Sequence, residues 1–406
     1  MNFIFVSPNF PVRYFKWVEA LKEHGVTVLG IGDSPFFDVH PRLKAALTEY
    51  FFVADMSNFE EMKKAVAYYQ SKYGRIDFIE SDNEWWLMMD ARLRKEFGIA
   101  TGFYPEQMEA IKAKSAMKPY FESVGVKTMR YRLAKGPEDL PAAKDLAAEV
   151  GYPLFAKPNV GVGAADSFAL ENEQALERFL SRRLSQTYII EEYVAGHIVS
   201  FDGVCNLESD VVFCTSDHFP KPVAQVVNGF EDEGYYNVPF ALPMKDVDAK
   251  AFESFGRKVV KAFGIKKRFF HIEFFVLAQD KEGLGKKGDL LGLECNMRPA
   301  GGYTPDLIDY ANSLSCYQLY ADIICYNENR QPLDGKKYYA WSSSRRLTLA
   351  YAHSEAEILE KYKDAMCMHG RYPAHMADAM GDLYYFARFK TYEEGEAFDR
   401  FVREKK

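Results

Sequence analysis

A mixed α/β (α+β) protein is predicted, with a parallel, Rossmann-like domain first and a larger α+β region after it. Three observations carry this. Short apolar runs alternate with amphipathic segments through the first hundred residues, the pattern of strand–helix–strand units feeding a parallel sheet. Two aromatic and β-branched runs on either side of residue 285 are separated by a charged, Gly-containing turn, which reads as an antiparallel hairpin. The chain has 406 residues, of which 48% are hydrophobic and 15% aromatic, enough for two or three domains of roughly 100–200 residues each.

In chain order, 2–7 is a short apolar strand broken by Pro8 and Pro11, with no basic residues before it, so it reads as a buried strand and not a signal peptide. A helix over 15–24 is stopped by Gly25, and strands follow at 26–31 and 50–53, a helix at 59–73 and a strand at 76–80. No G-x-G-x-x-G follows the first strand, so a dinucleotide fingerprint is absent. Ser81, Asp82, Asn83 and Glu84 come at the C-terminal end of a strand, where open sheets place ligands. Asn83 and Glu84 are therefore candidate substrate contacts, while Ser81 and Asp82 suit helix N-capping.

A single helix is predicted over 105–124, carrying Lys112, Lys114 and Lys118 and ending at Gly125. Further helices fall at 138–150 and 172–184, with strands at 153–158, 168–170 and 188–191. Residues 217–243 are polar, punctuated by Gly and Pro and without periodicity, which predicts a long loop of the kind that serves function. A helix over 247–263 precedes the hairpin. A helix over 305–326 follows it, with Thr304 as N-cap and Pro305 at the first position. The turn at 331–335 opens a C-terminal α+β piece.

Net charge is −7, which argues against a general nucleic-acid surface and makes any phosphate site a local one. The six cysteines show no C-x-x-C or Cys/His spacing and read as small core residues of a reducing, cytoplasmic protein. No apolar run approaches the ~18 residues of a membrane span.

The chemistry concentrates in Leu293-Glu294-Cys295-Asn296-Met297-Arg298-Pro299-Ala300-Gly301-Gly302. Strand alternation puts Glu294, Asn296 and Arg298 on one face. That face offers a carboxylate and an amide oxygen for Mg²⁺ and a guanidinium for a phosphate oxygen. The hairpin sets Glu273 beside Glu294, and two neighbouring buried carboxylates call for a cation between them. Upstream, Lys157 ends a strand and enters a loop with Gly161 and Gly163. Backbone amides there can approach a phosphate while the lysine supplies a point charge. The loop is not a P-loop. His271 shares a face with Glu273 and reads either as a site histidine or as a core one. His218 reads more simply as a surface residue.

With the segment Tyr188-Ile189-Ile190-Glu191-Glu192-Tyr193-Val194-Ala195-Gly196 added, the order of motifs resembles the ATP-grasp superfamily along nearly the whole chain. The run Glu-x-Asn-x-Arg-Pro-x-Gly-Gly is especially similar to amino-acid ligases of the carboxylate–amine class. The resemblance implies a preATP-grasp domain over 1–104 and a two-lobed ATP-grasp domain over 105–330 with its lid lobe at about 128–190. The piece over 331–406 would complete the second lobe. It implies ATP with Mg²⁺ or Mn²⁺ as cofactors. Lys114 and Lys157 would lie on the phosphates, and the loop from Asn159 through Gly161 and Gly163 would close over them. Glu191 would meet the adenine amino group, and the backbone of Glu192 and Val194 its edge. Glu273, Glu294 and Asn296 would hold the metal, and Arg298 would steady the transferring phosphoryl group. An arginine from the Arg345–Arg346 region would reach the acid, although the pair alone reads equally as a solvated strand edge.

Two positions depart from the family pattern. Ala113 stands where an aspartate usually precedes the first lysine, and Ile198 where an acidic residue holds the ribose, with Asp202 or His197 as candidate substitutes. The implied reaction joins a small-molecule carboxylate to an amine through an acyl phosphate, without nucleic acid or membrane and with room for a homodimer. The rival expectations are a bicarbonate-using enzyme of the biotin carboxylase or carbamoyl phosphate synthetase kind, and a non-catalytic ATP sensor.

Overall fold

The N-terminal alternation folds as a parallel sheet. In the computed structural model, which describes residues 1–161, 166–221, 232 and 234–406, strands Asn2–Val6 (β1), Thr27–Gly32 (β2), Glu49–Phe52 (β3) and Phe78–Glu80 (β4) lie in the order β3-β2-β1-β4. The three longer-range pairings are all parallel. The strands read as continuous apolar runs because both faces are covered. Phe3, Phe5 and Val28 pack with Trp17 and Leu21 of the helix Phe15–Glu23, while Ile4, Val6, Leu29 and Ile31 pack with Met62 and Val66 of the helix Phe59–Tyr73.

A second sheet is antiparallel: Tyr131–Ala134 (β5), Leu154–Pro158 (β6), Phe168–Leu170 (β7) and Tyr188–Glu192 (β8), in the order β5-β8-β6-β7. The third has eight strands: Gly196–Cys205 (β9), Val211–Phe219 (β10), Gly234–Val238 (β11), Arg268–Leu277 (β12), Leu290–Asn296 (β13), Tyr339–Arg345 (β14), Met366–Arg371 (β15) and Leu383–Phe389 (β16). Its order, β13-β12-β9-β10-β11-β14-β16-β15, shows that the C-terminal strands extend the sheet that holds the acidic hairpin. One face of this sheet is aromatic. Phe201, Phe270 and Phe274 pack there against Phe252 of the helix Ala249–Ala262 and Phe121 of the helix Lys114–Ser123. The opposite face is polar along β9, β10 and β12. No described helix is long and apolar enough to cross a membrane, and all six cysteines are free.

Five local expectations are corrected. The predicted loop over 217–243 contains the end of β10 and all of β11, while 222–231 and 233 fall outside the described residues. Several of the polar residues that hid these strands pair with one another inside the fold. Asn237 Nδ2 donates to Asp217 Oδ1 at 3.0 Å, Thr215 Oγ1 to Asn237 Oδ1 at 2.7 Å, and Asn312 Nδ2 to Thr215 Oγ1 at 3.2 Å. The predicted helix over 105–124 breaks at Ala113, which is extended at φ −92°, ψ 116°. Asn159, just past the end of β6, takes the amides exposed by the break: Lys114 N–H donates to its carbonyl at 2.8 Å and Ser115 N–H to its Oδ1 at 2.9 Å.

The helix over 305–326 is two, Thr304–Asn312 and Cys316–Tyr326, because Ser313 is left-handed and Ser315 caps the second one. Tyr303 and not Thr304 is the first N-cap. Ser81 and Asp82 cap no helix either. Ser81 donates its hydroxyl and amide to Asp90 Oδ2 at 2.6 and 3.0 Å, and the helix Leu87–Phe97 starts at Trp86 without a side-chain cap.

Buried charge joins the first and third sheets. Glu80, the last residue of β4, accepts from Arg94 at 2.8 Å and from Arg268, the first residue of β12. Arg268 also donates to the carbonyl of Met297 at 2.7 Å. Removing one member of a buried ion set strands the others, at a cost of about 3–5 kcal/mol. Glu80→Gln is therefore expected to lower unfolding free energy by about 3 kcal/mol in urea titrations; a loss below about 1 kcal/mol would show that the clamp is not structural.

Candidate active site

Glu273 and Glu294 are directly opposed across the β12–β13 ladder, and His271 is opposed to Asn296 one pair further along the same face. Lys114 Nζ lies 3.3 Å from Glu294 Oε1 and donates to the Gly161 carbonyl at 3.1 Å. Arg298 Nε is 3.4 Å from Glu84 Oε2, and Lys112 Nζ is 3.9 Å from Glu84 Oε1. The site thus draws on the parallel sheet (Glu84), the broken helix (Lys112, Lys114) and the hairpin.

Burial and neighbours push the two opposed carboxyls apart. Burial, reinforced by the charges of Glu273 and Glu84, raises Glu294 above the usual carboxylate range despite Lys114. Burial also works against ionising Glu273, yet its hydrogen bond to His271 and the charge of that ring hold it below that range. His271 Nδ1 is 2.7 Å from Asp202 Oδ1 and its Nε2 is 3.1 Å from Glu273 Oε1. Both partners are carboxylates, so both ring nitrogens donate. Although burial opposes the charge, these two partners push the imidazole up to about 10.

Across the cleft, Glu191 of β8 is held between Lys118 Nζ and Lys157 Nζ, each at 2.6 Å. Burial alone would raise this carboxyl; the two ammonium groups bring it down to about 2. Burial in turn pulls Lys118 below the ordinary lysine range, and its ammonium also donates to the Met129 carbonyl at 2.9 Å. Glu192 is clamped by Arg130, which reaches its two oxygens at 3.0 and 2.7 Å, and its amide donates to the Arg130 carbonyl at 3.0 Å. Val194 packs with Met129, Leu277 and Leu291, with Phe275 and Leu293 partly exposed beside them.

No family model matches the chain, and no curated protein matches it in sequence. Solved structures do match over nearly its full length. An L-amino acid ligase from Bacillus licheniformis is 15% identical with a TM-score of 0.69, covering 98% of this chain and 96% of its own. An N5-carboxyaminoimidazole synthetase from Staphylococcus aureus, complexed with ADP, is 13% identical with a TM-score of 0.70, covering 99% and 96%. The biotin carboxylase domain dimer of a Hydrogenobacter thermophilus 2-oxoglutarate carboxylase, with MgADP and bicarbonate, is 15% identical with a TM-score of 0.65, covering 98% and 88%. The fold is that of the ATP-grasp ligases.

Within this ATP-grasp fold, several residues singled out from the sequence meet in one cleft. Lys114 and Glu294 touch directly, Glu273 and Asn296 share their face, and Lys157 joins Glu191 on the facing sheet. Asn159 is spent on the broken helix, and Gly161 offers a carbonyl to Lys114. Gly163 lies outside the described residues. Arg345 and Arg346 are not brought to the acidic pair. The Arg345 guanidinium donates to the carbonyls of Val402 and His353, and that of Arg346 to Ala377 and Asp378. Both arginines thus brace the C-terminal piece. His218 is not at the surface; it is buried on the aromatic face, beside Tyr236.

Asp202 is committed to His271 and Ser200, and His197 alternates with Ile198 onto the other face. Lys118, to which the sequence reading gave no role, joins this cluster through Glu191; its place one helical turn after Lys114 was the available signal.

The closed Lys118–Glu191–Lys157 set yields a pH-resolved prediction. Because Glu191 is depressed from 4.5 to about 2, its stabilisation is fully present above pH 4.5 and lost as pH falls through about 2. Glu191→Gln is expected to lose about 3 kcal/mol at pH 7. In urea titrations that deficit should shrink steadily below pH 4.5; a deficit unchanged at pH 3 would contradict the assignment.

Proposed function

We propose that this protein is an ATP- and Mg²⁺-dependent carboxylate–amine ligase acting on amino acids or related small acids. The observation that carries the reading is the opposed Glu273–Glu294 pair with Lys114 on it, Arg298 beside it and Lys157 on the facing sheet. Such a set has no use in a protein that only packs, and phosphoryl transfer needs mainly positioning and charge neutralisation.

On this reading Lys114 and Lys157 hold the triphosphate, and Glu191 with the backbone near Val194 receives the base against Phe275 and Leu293. The donor set suits Mg²⁺. Among the described residues there is no cage of three or more acidic, His or Cys ligands, and Mg²⁺ takes one or two carboxylates plus phosphate oxygens. Glu273, Glu294 and Asn296 would hold the ion, which supplies charge neutralisation at the phosphates when bound. A substrate carboxylate oxygen attacks the γ-phosphorus and ADP leaves. Arg298 then faces the acyl phosphate, whose carbonyl carbon an amine attacks, giving an amide, phosphate and a proton. Glu84, which orients Arg298, sits at the sheet end where the amine would enter.

The bicarbonate reading has one specific support, the bicarbonate held with MgADP in one of the similar structures. The same experiment includes it. Purified protein is given ATP, Mg²⁺, amines and ¹⁸O-labelled carboxylates, amino acids in one arm and bicarbonate in the other. Label should pass from the productive acid into released phosphate, and ADP release without label transfer would eliminate the acyl phosphate. Glu294→Gln is expected to cut turnover by at least about 100-fold with unchanged thermal unfolding.

A further inference from the structure

The nucleotide cleft has an apolar floor where a sugar would lie. Along β9, the side chains of Ile198, Ser200 and Asp202 share one face. Ser200 is opposed to Glu273 on one side and to Asp217 on the other, which makes this the row of the acidic pair. Gly196, which opens β9, follows the hinge segment ending at Val194. From Gly196 to Ser200 the extended chain covers about 13 Å. A base at the hinge and phosphates at Glu273 therefore leave the sugar over the position between them, Ile198. Its row, Phe219–Ile198–Phe275–Leu291, crosses four strands and contains no polar side chain. Ile198, Phe219 and Phe275 are partly exposed, as a floor must be.

Among the described residues, the two polar candidates beside this row, Asp202 and His197, do not reach it. Asp202 lies beyond the acidic row, buried against His271 and Ser200. His197 points to the other face, where its charged neighbours are Asp246 and Lys245.

We propose that Ile198 determines sugar specificity: the ribose rests on this apolar row with its 2′-hydroxyl unread, so the site takes 2′-deoxyadenosine nucleotides as well as adenosine nucleotides. This rests on the nucleotide-binding reading above. A charged side chain at 198 would restore discrimination, since a hydrogen bond to a charged group contributes enough for about tenfold in affinity.

Calorimetric titration of the full chain with ADP and with 2′-deoxyADP, both with Mg²⁺, tests it. The wild type should bind the two within about threefold, and Ile198→Glu should favour ADP by about tenfold or more. Ile198→Gln, uncharged and closer in size, provides the same comparison if the carboxylate perturbs β9. A wild-type preference for ADP beyond about threefold overturns the proposal, as does a folded variant that gains no preference. Binding of neither nucleotide removes the nucleotide reading itself, a result distinct from a skewed ratio.

Discussion

Glu80 sits at the end of the parallel sheet between two arginines that come from different parts of the fold, and the geometry of the cleft depends on it. Arg94 belongs to the helix that follows β4, and Arg268 opens β12. Buried charges are tolerated only when paired and hydrogen-bonded, and both arginines also reach backbone carbonyls: Arg94 those of Ile79 and Phe103, Arg268 that of Met297. Burial and the Glu80 charge push the adjacent carboxyls of Asp82 and Asp90 up to about 8 and about 7. The clamp therefore fixes β4 against the start of β12 and against the residue before Arg298. Glu84 and Arg298, far apart in sequence, meet as a consequence.

From the acidic pair a second buried polar system runs across the large sheet. His271 joins Glu273 to Asp202, Ser200 donates to Asp202, and Asn237, Thr215 and Asn312 continue the network beyond Asp217. Burial and the Asp202 charge raise Asp217 well above the carboxylate range. Networks of this kind hold one arrangement because every alternative strands a buried polar group. Here the arrangement held is that of Glu273, whose carboxylate is fixed from behind by His271.

The facing sheet is organised by a different balance. Lys118 and Lys157 neutralise Glu191 but leave one positive charge in excess, while Lys114 across the cleft is paired with Glu294. The cleft is thus lined by cations that are already positioned and partly desolvated, a condition in which an anion gains most from them. The bond from Asn159 to the broken helix ties the entrance of the Gly161 loop to the helix that carries Lys114 and Lys118.

Much of this is legible in the sequence itself. Strand alternation alone aligned Glu294, Asn296 and Arg298, and the hairpin turn brought in Glu273, because side-chain period and local pairing are short-range properties. The parallel sheet was legible for the same reason. Lys114, Lys157 and Glu191 needed the order of motifs as well, since single lysines and glutamates carry no local pattern. Other features were decided only in three dimensions. β11 was invisible because its polar residues find partners on other strands and on a distant helix. The helix break at Ala113 depends on Asn159, and the diversion of Arg345 and Arg346 depends on carbonyls of the C-terminal piece. Periodicity reports which way a side chain points along its own element. Which buried donor meets which acceptor from elsewhere in the chain is settled by packing, and that step alone decided which of the predicted charges stand in the cleft.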